Sequence, residues 1–172
     1  MPLHPSQHPT RVVLADDHVL IRRSLRVLLE SRGDVEVVGE CGDGREVIAL
    51  AERLKPDIVL MDLSMPELNG IEATRHIRQL CPSTRVIILT AAVATDQVRE
   101  ALRAGATGYI IKRSDIDELV LAVNLVRRGN TYFSSELAEK LDLVQLMAEA
   151  QQDDNRSDLD RLSPREREVL QL

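Results

Sequence analysis

Residues 58–70 read IVLMDLSMPELNG: an apolar run from Ile58 to Met61, a carboxylate at Asp62, then a loop containing Pro66 and closing on Asn69-Gly70. A run that short and unbroken predicts a strand covered on both faces rather than an amphipathic element. An unpaired carboxylate is costly to bury, so Asp62 needs water, a cation or a chemical role. For a lone aspartate, a solvated strand end is the simpler account. Three other segments, at 15–18, 89–91 and 109–113, tip the balance away from it.

Downstream, Asn69 is a good N-cap with Glu72 three residues on, which predicts a helix from Gly70 to about Leu80, closed by Pro82. RVIILT, residues 85–90, is the next strand. A weakly amphipathic helix follows, with Val98, Ala101 and Leu102 inward and Gly105 at its end. Gly108 to Ile111 form another strand, which ends at Lys112. Ile116, Leu119, Val120 and Val123 then predict a strongly amphipathic helix, with Arg127-Arg128 in its last turn and Gly129 beyond.

Upstream, RVVLA at 11–15 is a strand ending at Asp16-Asp17-His18. Ile21, Leu25, Leu28 and Leu29 follow at helical spacing, up to Gly33. A strand near Val35 to Glu40 leads to a helix from about Arg45 to Leu54, stopped by Lys55-Pro56. Five strands alternating with five helices define an α/β protein, a doubly wound parallel sheet with right-handed crossovers. Such sheets keep their ligand crevice at the carboxyl ends of the strands. Asp16-Asp17, Asp62, Thr90 and Lys112 all arrive on that rim.

The 172 residues suffice for one domain with a sizeable core plus a tail. With 44% apolar and 29% charged residues, the composition is that of a soluble globular protein. No apolar run approaches membrane-spanning length, and the opening MPLHPSQHPT has no signal-peptide core, so residues 1–10 read as a disordered leader. Cys41 and Cys81 lack the spacing of a disulfide or metal pair. A cytoplasmic location is expected. The net charge of −6 gives the chain no electrostatic reason to seek nucleic acid.

Past Gly129 the character changes. Residues 132–161 read as a linker with a helix from about Glu136 to Ala150, lined by Leu137, Leu141, Val144 and Met147; QQDDNRSDLDR, 151–161, is polar connecting chain. Ser163, Pro164 and Glu166 then form a complete helix start in residues 162–172, as if a further domain begins there.

Three carboxylates gathered on one rim repel and raise one another's pKa. A divalent cation relieves that conflict, and all-oxygen ligation suits Mg2+. Lys112 adds a positive charge and Thr90 a hydroxyl. Together these are the parts needed to move a phosphoryl group onto and off a carboxylate. His4 and His8 lie in the leader and His76 on a helix face, so no serine–histidine–acid set competes. His18, beside the acids but without an evident partner, reads as a supporting or surface residue. Each position alone also has an ordinary account: a capping loop at 16–17, a β-branched strand end at Thr90, a surface lysine at Lys112, a core ring at Tyr109.

From Arg11 to Gly129, VLADDH, IVLMDLSMPELNG, VIILTA and GYIIK occur in that order, and the chain there resembles the receiver domain of bacterial two-component response regulators. The resemblance implies a receiver over residues 11–131 with the flavodoxin/CheY-like strand order 2-1-3-4-5. It implies that Asp62 is the phosphoacceptor, that Asp17 binds Mg2+ directly and Asp16 largely through water, and that Asp62 and the Ser64 backbone carbonyl complete the ligands. Thr90 and Lys112 would hold the phosphoryl group, and Tyr109 would turn inward when Thr90 moves. A sensor histidine kinase as donor and a homodimer on phosphorylation are implied as partners. The chain would be a regulator with self-phosphotransfer and autodephosphorylation chemistry rather than an enzyme. LSPREREVLQL, 162–172, resembles the first helix of the LuxR-type helix-turn-helix domain of the NarL/FixJ group, and Arg113 after Lys112 agrees. DNA binding would then belong to the longer parent protein.

Three rivals use related parts. A haloacid-dehalogenase-like phosphohydrolase needs an acid two residues after its nucleophile, where this chain has Ser64. A flavodoxin-like FMN binder wants backbone donors after the first strand, where Asp16-Asp17 repel phosphate. An unphosphorylated pseudo-receiver module is the third.

Overall fold

The 58–62 stretch is an interior strand buried along its whole length, as its apolar run requires. The computed structural model describes residues 8–161. The expected leader at 1–7 and the helix start at 162–172 lie outside the described residues. Strands β1 (Thr10–Ala15), β2 (Val35–Cys41), β3 (Ile58–Asp62), β4 (Arg85–Thr90) and β5 (Gly108–Ile111) pair in parallel in the order β2-β1-β3-β4-β5. Thr10 already belongs to β1 and is buried, so the chain is ordered one residue earlier than the leader reading placed it.

The sheet carries a sixth strand that the sequence did not announce. Tyr132–Phe133, β6, pairs parallel with the outer edge of β5. Two residues are too few to show a period. They are drawn there because β5 would otherwise leave its edge unpaired: Tyr132 N–H donates to the Thr107 carbonyl and Ser134 N–H to that of Tyr109, both at 3.0 Å.

Side chains of β3 alternate between two cores. Val59 and Met61 join the layer made by α2 (Gly44–Leu54), α3 (Gly70–Leu80) and α4 (Thr95–Arg103). Ile58 and Leu60 join the layer of α1 (Val19–Glu30) and α5 (Ile116–Arg127). Local chemistry sets the helix starts: Asp43 accepts from the N–H groups of Arg45 and Glu46, and Asn69 from that of Glu72 at 2.9 Å. Gly33 and Gly129, at φ 78° and 94°, take the left-handed turns that close α1 and α5.

Three packing details differ from the pattern reading. In α1 only Leu29 is buried, whereas Ile21 and Leu28 stand exposed with Val19, Leu20 and Val27. The apolar positions run further round this helix than the sheet can cover. Helix α4 divides its faces sharply, with Val98 and Ala101 buried against an otherwise polar surface, while α5 is apolar almost all round. The single helix expected at 136–150 is two, α6 (Ser135–Lys140) and α7 (Leu143–Arg161), broken where Leu141 is extended and the Asp142 carboxylate accepts the Gln145 N–H.

That break resets the helical phase. Val144, expected inward, is 81% exposed, and Leu146 is buried instead. With neither glycine nor proline from 143 to 161, nothing stops α7, so the polar stretch 151–161 is helical rather than a loose connection. Helix α7 lies on α4. Leu137 and Leu146 enter the core there, and Arg99 and Arg103 pair with Glu149 and Asp153 at 3.2 and 2.7 Å.

Half-exposed ion pairs contribute little, so the leucines hold α7 in place. Leu146→Ala is expected to speed amide exchange across residues 143–153 about tenfold or more, because truncating a buried leucine costs ~2–5 kcal/mol. Amides of β1, β3 and β4 should keep their protection. Unchanged exchange in α7 would show that other contacts hold it.

Candidate functional site

Parallel strands bring their carboxyl ends to one edge, and the chain delivers an acid or a base at each. Beyond β1, Asp16 is 2% exposed; at the end of β3, Asp62 is 4% exposed. Beyond β5, Lys112 N–H donates to the Thr90 carbonyl at 2.6 Å, which fixes where its side chain starts. The Lys112 Nζ then lies 2.7 Å from Asp16 Oδ2 and 3.2 Å from Asp62 Oδ1. One ammonium bridges two buried carboxylates.

Asp62 Oδ1 also faces the Ser64 N–H at 3.4 Å. Asp62 Oδ2 is buried with no hydrogen-bond partner. Ser64, expected to offer its carbonyl, is thus beside the cluster. The loop over Asp62 is tight: a Cβ on Gly70 would collide with the Asp62 carbonyl, and one on Gly44 with that of Leu68. Only glycine lets those backbones approach, a requirement the sequence reading did not extract from either residue.

Burial pushes the Asp62 carboxyl above its ordinary value; the Lys112 ammonium pulls it down and Asp16 adds to the rise. Burial alone would lower Lys112, but the two carboxylates outweigh it and hold the ammonium above its ordinary range.

Asp17 stands more open, and His18 joins the pair. The His18 Nδ1 is 3.1 Å from Asp16 Oδ1 and 3.0 Å from Asp17 Oδ1, while its backbone N–H donates to Asp16 Oδ1 at 2.8 Å. The sequence reading gave His18 no partner; its position next to the acids was the available signal. Arg22 was missed altogether. Its guanidinium donates to the carbonyls of Asp16 and Cys41 and so ties the acidic turn to β2.

Thr90 and Tyr109 form a second contact behind the cluster. The Thr90 hydroxyl donates to the Ala92 carbonyl at 3.0 Å. Tyr109 is 1% exposed, already turned inward, with a buried hydroxyl beside Thr90 that reaches no partner in full hydrogen-bond geometry. Burial pushes this phenol up to about 12, against a small opposing pull from Thr90.

The donor set fits a small dication. Asp16, Asp17, His18 and Asp62 each offer a ligand atom, all within 4.8 Å of one another. Opposite ligands on Mg2+ sit about 4 Å apart, so a slight contraction suffices. The free lone pairs of Asp62 Oδ2 point to the same need.

A doubly wound sheet with acids and a lysine on its carboxyl rim defines a class of domain. Comparison with known proteins narrows it: the response regulator receiver domain matches residues 12–124. The chain belongs to that family and is a receiver of the NarL/LuxR type of response regulator. It is 40% identical over 162 residues to the uncharacterized transcriptional regulatory protein YxjL of Bacillus subtilis, covering 94% of this chain and 73% of that protein. The nitrate/nitrite response regulator NarL of Escherichia coli K12 is 33% identical, with 97% and 76% covered. The crystal structure of a LuxR-family two-component response regulator from Aurantimonas sp. SI85-9A1 superposes with a TM-score of 0.73 at 39% identity, over 83% of this chain and 98% of that one. The phosphohydrolase, flavin and pseudo-receiver alternatives find no support in these similarities.

A carboxyl whose folded pKa is raised costs stability once it ionises; the cost is absent below the unfolded value and appears as pH climbs through the folded one. Asp62→Asn should therefore raise the melting temperature at pH 7 in EDTA, by about 2–4 °C. The gain should shrink as pH falls toward 3.8. An unchanged or lower melting temperature at pH 7 would mean that Lys112 already compensates the burial of Asp62.

Proposed function

We propose that Asp62 accepts a phosphoryl group from a sensor histidine kinase, and that this switches the output of a transcription regulator. One observation carries the reading: Asp62 is buried, held at Oδ1 by Lys112, and has Oδ2 free. In the transfer, Asp62 Oδ2 attacks phosphorus, an oxygen–phosphorus bond forms, and the phosphorus–nitrogen bond to the donor imidazole breaks with its electron pair leaving on nitrogen. Lys112 offsets charge on the phosphoryl oxygens. Thr90 trades its bond to Ala92 for one to the phosphoryl group. Asp16, Asp17 and Asp62, with the Ser64 carbonyl, would hold Mg2+, which when bound neutralises charge on the carboxylates and the phosphoryl group alike. Water attack on the acyl phosphate reverses the modification.

The domain reading places a receiver at 11–131, a linker at 132–161 and the start of a LuxR-type helix-turn-helix at 162–172, so DNA contact belongs to the parent protein. The cytoplasm is the compartment that suits a kinase partner. No helix among the described residues is long and apolar enough to cross a membrane.

Intact-mass measurement after treatment with a small phosphodonor tests the assignment. The wild type should gain one phosphoryl group only with Mg2+, Asp62→Asn none, and Lys112→Ala markedly less. Equal gain by wild type and Asp62→Asn would sink it.

Homodimerisation is proposed to follow phosphorylation. Helix α7 covers α4, whereas α1 exposes Leu20 at 79% together with Val19, Val27 and Leu28, and α5 exposes Leu121 nearby. Leu20→Glu combined with Val27→Glu should abolish the phosphorylated dimer in light scattering while leaving Asp62 modifiable. A dimer that survives both changes would assign association to another face.

A further inference from the structure

We propose that His18 is a direct metal ligand, and that Asp16, Asp17, His18 and Asp62 together prefer a first-row transition-metal dication to Mg2+. The inference rests on the reading above that this cluster holds a cation.

His18 occupies the N-cap position of α1, with extended backbone at φ −83° and ψ 100°, yet its side chain makes no capping bond to the helix. The ring is turned into the acidic turn instead, with Nδ1 between the carboxylate oxygens of Asp16 and Asp17. The backbone N–H of His18, bonded to Asp16, fixes that turn. Its side chain is 63% exposed, so the ring has room to rotate its lone pair onto an ion. An acid cluster alone would say little. Here Asp62, in the same 4.8 Å set, is buried with Oδ2 unpartnered, which is an independent call for an electrophile.

Carboxylates alone suit hard Mg2+, whereas an imidazole shifts preference toward Co2+, Ni2+ and Zn2+. Three oxygens and one nitrogen make a mixed set of borderline character. Lys112, paired with Asp16 and Asp62, opposes every cation equally. Discrimination between cations is therefore left to His18.

The test is titration of the full chain, stripped with EDTA, by Co2+ and separately by Mg2+. Calorimetry gives affinity, and the visible Co2+ spectrum reports nitrogen ligation. Wild type should bind Co2+ about tenfold or more tightly than Mg2+. His18→Asn and His18→Ala should each lose about tenfold for Co2+ and the nitrogen signature, with Mg2+ affinity kept within about twofold. Equal Co2+ binding by wild type and variants overturns the proposal. So does a parallel loss for both ions, because His18 would then only shape the turn. Mg2+-dependent phosphorylation of the variants is read in parallel. If that phosphorylation is absent even in wild type while Co2+ discrimination holds, the phosphoacceptor reading fails and the ligand assignment stands.

Discussion

Two carboxylates, Asp16 and Asp62, are kept almost entirely from water with a single ammonium between them. Removing an ion from water costs several kcal/mol even after relaxation, and one lysine cannot satisfy two acids. The surrounding architecture follows from that imbalance. Parallel pairing puts all strand ends at one edge, so the acids meet Lys112 without any long excursion of chain. Gly44 and Gly70 let the loop after β3 close down on Asp62, and Arg22 pins the Asp16 carbonyl from the far side. The fold holds the acids in a position they would not choose.

The sheet was legible because its strands are apolar on both faces, and such runs have few other uses. Asn69 and Asp43 announced their helices because capping is a local contest between a side chain and four unpaired N–H groups. The site was legible because its acids stand at strand ends. What stayed hidden is non-local. Strand β6 exists only because β5 has an edge to offer, and Ile21 and Leu28 are exposed because the sheet is too narrow beneath α1. Arg22 looked like any helix-surface arginine; its work depends on a carbonyl turned outward from another element.

The break between α6 and α7 shows how one residue reverses a pattern. Leu137, Leu141, Val144 and Met147 form a credible stripe on a continuous helix. Asp142 accepts the Gln145 N–H, Leu141 becomes extended, and the stripe is cut. The residue that then reaches the core is Leu146, off the original stripe. A short polar side chain competing with helix hydrogen bonds is weak by propensity alone, but here it selects which leucine is buried.

Strand β5 joins the charged rim to that outer helix. Lys112 follows its last residue, Tyr109 lies within it against Thr90, and the Tyr109 carbonyl accepts from Ser134 at the entry to α6. Glu118 tightens the same joint, accepting from Ser135 N–H at 2.8 Å and the Tyr132 hydroxyl at 3.0 Å; burial opposes its charge, and these bonds still hold it below the usual carboxylate range. A four-residue strand so bonded moves as a unit. Beyond it, α7 is seated chiefly by Leu137 and Leu146, at roughly 1.5–3 kcal/mol each before the entropy of ordering the helix is subtracted. Coupling energies between linked sites are typically ~1–3 kcal/mol. The seat of α7 is therefore of the same size as the signal that a shift of Lys112 and Thr90 can send along β5. A much larger core under α7 would be deaf to that signal, and a much smaller one would leave nothing to release.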